Sequence, residues 1–400
     1  MKKCNIKGTL LMPGFELIGQ EEQTEINEVF SKGGVLFRHS FDAIRNGCYK
    51  VKQFEENFAK HHKVPYALAL SSGTASLRVA LAAIGIERGD EVITQSFTFV
   101  ATVEAIIEAG ANPVCTEIDK TLNMDVEDLK RKITNRTKAV IAVHMLGTPA
   151  NLLEIKKICK ENNILLIEDT AWGLGGELNK QKLGAIGDIG CFSFDHAKAL
   201  TTGEGGMLIT NNEEIWSKAA AWHDHGHENN PSVPRWEDTR SSSGFNFRMS
   251  ELQGAVGCAQ LRKLNRVIDK QRENCIELSR YLKEIEWIKM REEPVGSKST
   301  YDAIVFSVPN KNIALLCRDA LLNSGFGTKI LPEAISWHFA GHWSHMTELV
   351  SSHRSMQETA ELKFKSQVHL SSAVAIPNNL NLSTDDLLGI SATLKKLGNG

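Results

Sequence analysis

The sequence predicts an α/β fold: a large domain with a mostly parallel central sheet, followed by a smaller C-terminal α+β domain. One observation is the regular alternation of short apolar runs with helical patterns between Val64 and Thr210. Another is the change of pattern after a long helical stretch that begins near Gly254. A chain of 400 residues also exceeds what one simple core usually organises. We place the large domain at residues 1–260 and the small one at 261–400.

The elements follow in chain order. The strand-like runs of the first part are PYALAL, DEVIT, NPVCTEI, KAVIAVHM, ILLIED, GCFSF and GGMLIT. Because these runs are apolar on both faces, they predict strands covered by helices on both sides of a parallel sheet. A helical pattern from Gly254 to about Glu286 predicts the link to the small domain, where the runs include YDAIVFSVP, NIALLCRDALLNSGF and STDDLLGISATLKKLG.

Composition excludes several classes of partner. The net charge is −2 and no extended basic stretch could neutralise a nucleic-acid backbone. The eight cysteines occur singly, without the CxxC pairs of a zinc site, and are expected to be reduced thiols. The first apolar run is short and is broken at Pro13 and Gly14, which is too weak for a signal peptide or a membrane span. We therefore expect a cytoplasmic protein without membrane or nucleic-acid partners.

Two strand ends carry polar side chains suited to binding. Ser71, Ser72, Gly73 and Thr74 lie between a strand-like run and a helical run, where backbone N–H groups and the positive helix end can hold a phosphate. An ordinary helix cap has the same letters, so this turn alone identifies no ligand. Asp169 ends the apolar run ILLIED, at the edge of a parallel sheet where ligands bind and where a carboxylate can hold a pyridine nitrogen. A capping aspartate is the structural alternative.

The third signal is a lysine between two strand-like runs. The stretch CFSFDHAKALTTGEGGMLIT places Ser193 and Lys198 just before the glycine-rich segment 202–206. A sequestered lysine has a lowered pKa and can form a Schiff base, although most single lysines are solvated surface residues. Taken together, a phosphate-binding turn, a strand-end carboxylate and this lysine provide the three groups that bind pyridoxal phosphate.

The same segments resemble the DegT/DnrJ/EryC1/StrS aminotransferases, which are fold-type I pyridoxal-phosphate enzymes that aminate keto sugars. The resemblance is densest in SSGTAS, GDEVI, FTFVAT, IEDTA, GCFSF, KALTTGEGGM and GFNFRMSELQGA. It implies that Lys198 forms the Schiff base and is the catalytic residue, and that the cofactor is pyridoxal 5′-phosphate. It further implies these cofactor contacts: Gly73 and Thr74 on the phosphate, Phe99 on the ring face, Asp169 on the ring nitrogen and Ser193 on the phosphate.

The resemblance also implies a homodimer with shared active sites. In the family, an asparagine in the segment that matches GFNFRM reaches the cofactor phosphate of the neighbouring subunit. The matching residue is Asn246. The structural alternative is a loop asparagine that hydrogen-bonds its own backbone.

Two positions depart from the family pattern. Trp172 stands where the family usually has a glutamine, in the segment that reads Asp-Thr-Ala-Trp. Asp195 stands where the family commonly has a histidine, three residues before Lys198. Both changes affect details of cofactor tuning and substrate recognition, and neither alters the register of the lysine.

Two histidine-rich segments are open to more than one interpretation. His223, His225 and His227 alternate along the chain, but no compact set of Cys or Asp partners accompanies them, so we expect no metal site. The segment Ser336 to Met346 could gate a substrate or could simply pack its aromatic rings.

The resemblance predicts transfer of an amino group from L-glutamate to a keto or aldehyde sugar. Within the family, one set of segments is similar to aminotransferases that make 8-amino-3,8-dideoxy-manno-octulosonate from 8-oxo-Kdo in lipopolysaccharide biosynthesis: TLNMD, VHMLG, IEDTAWG, FSFD, DHGHENN and GFNFRMSELQ. A nucleotide-linked keto sugar is the alternative acceptor. A dehydratase of the same fold would have histidine in place of the Schiff-base lysine, and Lys198 argues against it.

Overall fold

The structure is a computed structural model that describes residues 13–230, 232–332, 335–352 and 364–398. Cys4 and most of the first apolar run lie outside the described residues. The helices are α1 Gln20–Ser31, α2 Asp42–Arg45, α3 Lys50–His62, α4 Gly73–Ala83, α5 Val100–Glu108, α6 Val126–Lys132, α7 Leu152–Glu161, α8 Glu213–Trp222, α9 Glu251–Leu282, α10 Lys311–Asn323, α11 Thr347–Ser352, α12 Gln367–Ser371 and α13 Thr384–Lys396. The strands are β1 Tyr66–Leu70, β2 Glu91–Gln95, β3 Asn112–Thr116, β4 Thr137–Val143, β5 Leu165–Asp169, β6 Glu177–Leu178, β7 Gln181–Lys182, β8 Ile189–Ser193, β9 Gly206–Thr210, β10 Lys289–Met290, β11 Ser297–Lys298, β12 Ala303–Ser307 and β13 Ala373–Pro377.

Seven strands form the central sheet in the order β1-β9-β8-β5-β4-β2-β3. Neighbouring strands are parallel except where β9 pairs with β1 and β8, and it is antiparallel to both. Each of these strands corresponds to one of the seven predicted apolar runs. Their side chains are mostly buried, because α4, α5, α7 and α8 cover the sheet. The predicted mostly parallel α/β fold is confirmed.

The C-terminal part contains a second, antiparallel sheet in the order β10-β12-β13. Helices α10 and α13 pack beside it, and its core includes Ile304, Phe306 and Leu387. A third sheet has the order β11-β6-β7, in which β6 pairs with both neighbours. β11 of the C-terminal part is thus hydrogen-bonded to the connection between β5 and β8 of the large sheet.

Helix α9 is the longest of the described helices, with 32 residues, and the domain boundary predicted at residue 260 lies within it. The Ser250 side chain accepts a hydrogen bond from the Gln253 amide, and Gln253 Oε1 accepts one from the Ser250 amide, which together form a capping box. The helix packs against α1 and α3 of the large part and against α13 of the C-terminal part. Helix α9 is therefore in contact with both parts of the chain. The domain boundary itself remains a prediction.

The described cysteines are buried and none of them is paired in a disulfide. Within the described ranges, none of the helices combines the length and the apolar character needed to cross a membrane.

Candidate active site

A cavity of about 420 Å³ lies at the carboxyl ends of the central strands. In parallel sheets this edge is where ligands bind, because loops and helix N-termini converge there. Its walls come from α4, α5, the ends of β5 and β8, and two C-terminal segments. The residues that line it include Gly73, Thr74, Phe99, Thr102, Asp169, Trp172, Ser193, Lys198, Lys329 and His338.

One end of the cavity is the N-terminus of α4. The Ser72 side chain accepts a hydrogen bond from the Ala75 amide, whereas the amides of Gly73 and Thr74 have no acceptor among the described residues. A Cβ atom on Gly73 would lie 2.6 Å from Cβ of Ser193, so only glycine lets β8 approach this turn so closely. Free amides, the helix dipole and the Ser193 hydroxyl together form a site for a phosphate group.

Asp169 also lines the cavity, as the last residue of β5. Its side chain is 5% exposed and accepts hydrogen bonds from Thr102 Oγ1 at 2.9 Å and the Ala171 amide at 3.2 Å. Burial raises the pKa of this carboxyl, and the bond from Thr102 partly opposes that rise. A buried carboxylate held in one orientation, with no cation bonded to it among the described residues, suits a ligand that carries a protonated ring nitrogen.

Lys198 lies on a tight turn after β8. Its amide donates to the carbonyl of Asp195 at 3.0 Å, and its own carbonyl accepts from the Gly14 amide at 3.1 Å. Removal from solvent lowers the pKa of the Lys198 amine, although Asp302 attracts the charged form and limits the change. A larger fraction of the amine is therefore neutral and nucleophilic near neutral pH.

Aromatic rings form one wall of the cavity. The Phe99 ring, which is 38% exposed, lies 5.4 Å from the ring of His338, and the ring of Trp172 lies 5.7 Å from the same histidine. The Nζ atom of Lys198 lies 4.3 Å from the centre of the Trp172 ring. A flat ligand therefore has a ring face to stack on beside the lysine.

The C-terminal part supplies residues that the sequence did not single out. Lys329 reaches the cavity and its Nζ donates to Asp302 at 2.6 Å. His338 was covered only by the general expectation for the segment Ser336 to Met346. That segment is held against the end of β2 by a bridge between Phe97 and Phe339. Lys329 and His338 lie far from Lys198 along the chain and stand in no local motif, so the sequence did not reveal them.

Thr102 was also missed, although its spacing offers a signal. It lies three residues after Phe99, on the first turn of α5, so both side chains reach the same cavity.

Asn246 does not line the cavity of its own chain. It is exposed, its Oδ1 accepts a hydrogen bond from the Arg248 amide at 3.4 Å as the loop alternative expects, and its backbone forms a bridge with Asp224. The alternating histidines do not converge either: Nδ1 of His223 lies 2.5 Å from the Ala220 carbonyl, whereas His227 pairs with Asp238. In the described ranges no three His, Cys, Asp or Glu side chains are grouped as metal ligands.

The cavity is therefore suited to a ligand that carries an anionic group, a basic ring nitrogen and a carbon that reacts with an amine. Residues 37–395 match the family model described as the DegT/DnrJ/EryC1/StrS aminotransferase family. The chain belongs to this family. The family resemblance drawn from the sequence is thereby confirmed.

Among the relatives, the GDP-perosamine synthase of Vibrio cholerae is 37% identical over 63% of this chain and 65% of its own length. The GDP-perosamine synthase of Escherichia coli O157:H7 is 38% identical over 56% of this chain and 60% of its own length. The chain thus spans less than two thirds of the length of these two DegT/DnrJ/EryC1/StrS relatives.

A solved structure with the same fold is 3-amino-5-hydroxybenzoic acid synthase, at 25% identity and a TM-score of 0.82, with 98% of this chain and 99% of that chain covered. The E. coli GDP-4-keto-6-deoxy-D-mannose-3-dehydratase, solved with bound hydrated PLP, has a TM-score of 0.80 at 24% identity and covers 95% of this chain and 97% of its own. The second likeness concerns the fold alone.

Proposed function

We propose that this chain is a pyridoxal-phosphate-dependent aminotransferase that moves an amino group from L-glutamate to a carbonyl carbon of a sugar. Membership of the DegT/DnrJ/EryC1/StrS aminotransferase family supports the reaction class. The observation that carries the proposal is the convergence of Asp169, Lys198 and the N-terminus of α4 on one cavity.

The cavity offers partners for the phosphate, the ring nitrogen and the reactive carbon of the cofactor. Gly73, Thr74 and Ser193 would hold the phosphate, because unpaired amides and a hydroxyl meet there. Asp169 would hold the ring nitrogen and Phe99 would cover one ring face. When bound, pyridoxal phosphate supplies an electron sink for a carbanion at the substrate carbon.

The chain's own groups perform the remaining tasks. The Asp169 carboxylate keeps a proton on the ring nitrogen, since a buried anion is stabilised by a cation at hydrogen-bond distance. Lys198 would hold the cofactor covalently through Nζ. With Nζ free, the same amine would take a proton from the donor carbon and return it to another carbon, which its lowered pKa favours.

Nucleotide-linked keto sugars are the acceptor class that the relatives favour. GDP-perosamine synthases and a dTDP-4-dehydro-2,3,6-trideoxy-D-glucose 4-aminotransferase of Saccharopolyspora spinosa are among them. 8-oxo-Kdo is the second candidate, supported by the sequence segments that resemble the 8-amino-Kdo enzymes, and with it goes a role in lipopolysaccharide synthesis. A dehydratase is disfavoured by Lys198. Cytoplasmic location remains a prediction from the sequence.

We also infer a homodimer with shared sites. Asn246 is exposed and lies outside its own cavity, as expected of a residue that serves a neighbour. Exposed apolar side chains lie on the same segment, at Trp236 and Phe245. Others lie at Leu36, Phe41 and Ile44, on a second segment that touches the first where Phe37 packs against Arg248. Burying this surface in a symmetric interface would remove apolar area from water.

The test is a two-stage assay of the purified protein. Glutamate alone should convert the yellow cofactor form to the amino form, and a panel of GDP- and dTDP-linked keto sugars with 8-oxo-Kdo should then restore the yellow form for the true acceptor. Lys198→Ala serves as the blank, and Lys157→Ala, an exposed lysine on α7, serves as the matched control. Failure of glutamate and of every other amino donor to change the spectrum would refute the proposal.

A further inference from the structure

Trp172 is held firmly against Lys198. Its carbonyl accepts a hydrogen bond from Thr300 Oγ1 at 3.1 Å, and its indole packs against the apolar cluster that contains Phe97 and Phe339. The ring of His338 lies beside it, tilted by 36°. With these contacts the indole presents its face to Lys198 Nζ at 4.3 Å from the ring centre.

The acidic groups around Lys198 are engaged elsewhere. Asp302 bonds Lys329, and Asp169 accepts from Thr102 and the Ala171 amide. The Asp195 carboxylate accepts from the Ala197 amide. In the described part of the chain no carboxylate oxygen lies within ion-pair distance of Lys198 Nζ. The face of the indole is therefore in direct contact with the Lys198 amine, whereas the carboxylates of Asp302, Asp195 and Asp169 attract its charged form without an ion pair.

We propose that Trp172 is a positioning residue that holds the amine of Lys198 whenever that amine is not bonded to the cofactor. This inference rests on the proposed function, because only such an enzyme releases and recaptures its lysine. When Nζ is free, the amine would gain a proton from the substrate carbon and become an ammonium group at a desolvated position. An indole face attracts a cation without forming a bond that must be broken before the next proton transfer.

The position is also one of the two departures from the family pattern. A glutamine there would offer hydrogen-bonding groups, whereas an indole offers only its face and one N–H. Trp172 acts through Lys198 and needs no contact with the substrate.

The first test uses cofactor-free protein, so that it does not depend on turnover. Fluorotryptophan keeps the shape of the indole but withdraws electron density from its face, which weakens the attraction for a cation. The pKa of Lys198 is read from the pH dependence of its modification by an amine reagent, followed by mass spectrometry of its peptide. We expect fluorination to lower this pKa by about 0.5 to 1 unit.

Trp172→Phe is the matched control, because in this variant fluorotryptophan replaces the other tryptophans while position 172 carries phenylalanine. In that background the labelling should leave the Lys198 pKa unchanged. An equal pKa with ordinary and fluorinated tryptophan in the wild-type background would overturn the proposal, as would an equal shift in both backgrounds.

The second test uses the loaded enzyme. Trp172→Gln should bind as much cofactor as wild type, but its half-reaction with glutamate should have a maximal rate at least about tenfold lower at an unchanged half-saturating concentration. Trp172→Phe should recover most of the rate. Wild-type rates in Trp172→Gln would contradict the positioning role. A wild-type protein that takes up no pyridoxal phosphate would instead refute the proposed function, and the pKa measurement distinguishes the two failures.

Discussion

At the scale of single residues, Asp169 and Lys198 share one property: burial disfavours the charged form of each. The pKa of the carboxyl is raised and that of the amine is lowered, and in both cases desolvation is the main cause. A ligand with a protonated ring nitrogen would relieve the first cost, and a covalent bond to the amine would relieve the second. Binding of such a ligand should therefore stabilise the fold as well as enable chemistry.

The lowered pKa of Lys198 predicts a pH-dependent effect on stability. Below the folded-state pKa the desolvated ammonium costs free energy, and the cost disappears as the pH rises through the folded-state pKa towards the ordinary value of 10.5. Lys198→Met should therefore raise the free energy of unfolding of cofactor-free protein at pH 7, and the gain should shrink steadily towards pH 10.5. Urea unfolding across this range measures it. If the gain in the free energy of unfolding does not change with pH, desolvation of the Lys198 ammonium is not its cause.

Asp169→Asn tests the carboxylate. A neutral amide cannot keep the ring nitrogen protonated, so the rate of transamination should fall by at least about a hundredfold, comparable with loss of a main electrostatic group. The shape of the site should be kept, which circular dichroism and cofactor content can check. Asp269→Asn, an exposed change on α9, is the control. A wild-type rate in Asp169→Asn would mean that another residue holds the nitrogen.

At the scale of secondary-structure elements, the site depends on how closely α4 approaches β8 and β9. Gly206 pairs with both Leu70 and Ser193, and a Cβ atom there would lie 2.1 Å from the Ser72 carbonyl oxygen. Gly73 meets Ser193 in the same way. Because Gly73 and Gly206 have no side chains, the N-terminus of α4 and the Ser193 hydroxyl can lie together at one phosphate site.

This packing predicts a rescue. Gly73→Ala should lower the free energy of unfolding by about 1–3 kcal/mol, because its methyl group overlaps the Ser193 side chain. Adding Ser193→Gly removes the obstacle and should recover most of that loss after correction for Ser193→Gly alone. Thermal unfolding of the four proteins in this cycle measures the coupling. Purely additive effects would show that the two residues do not meet.

The sequence predicted the strands of the large sheet well, because strands buried on both faces leave continuous apolar runs. It could not predict β6, β7 and β11, since two-residue strands have no period to detect. The same contrast holds in the site. Asp169, Ser193 and Lys198 stand in local motifs, whereas Lys329 and His338 reach the cavity only through the packing of the C-terminal part.

At the scale of the whole molecule, the cavity is built from distant parts of the chain. Gly14 near the start binds the carbonyl of Lys198, and the segment that contains His338 is bonded to the end of β2 by the Thr98 amide and the His338 carbonyl at 2.9 Å. The Gly14 contact lies beside the first described residue. Only Asn246, among the predicted cofactor contacts, lies away from the cavity.

Mixed subunits test the role of Asn246. A heterodimer of Lys198→Ala and Asn246→Asp chains contains one site with its own Lys198 and a wild-type Asn246 from its partner. After complete exchange of equal amounts, half of the dimers are mixed and each has one working site, so activity should recover to about a quarter of wild type. No recovery after verified exchange, or a fully active monomer in sedimentation, would exclude shared sites while leaving the cofactor assignment intact.

The most direct measurement of the central claim is the site of covalent attachment. Purified protein loaded with pyridoxal phosphate should absorb visible light, and borohydride should bleach it and fix the cofactor on the lysine. Mass spectrometry of the digest should then find one phosphopyridoxyl group per chain, on Lys198, and none in Lys198→Ala. A label on another lysine, or an unlabelled chain after saturation with cofactor, would contradict the assignment.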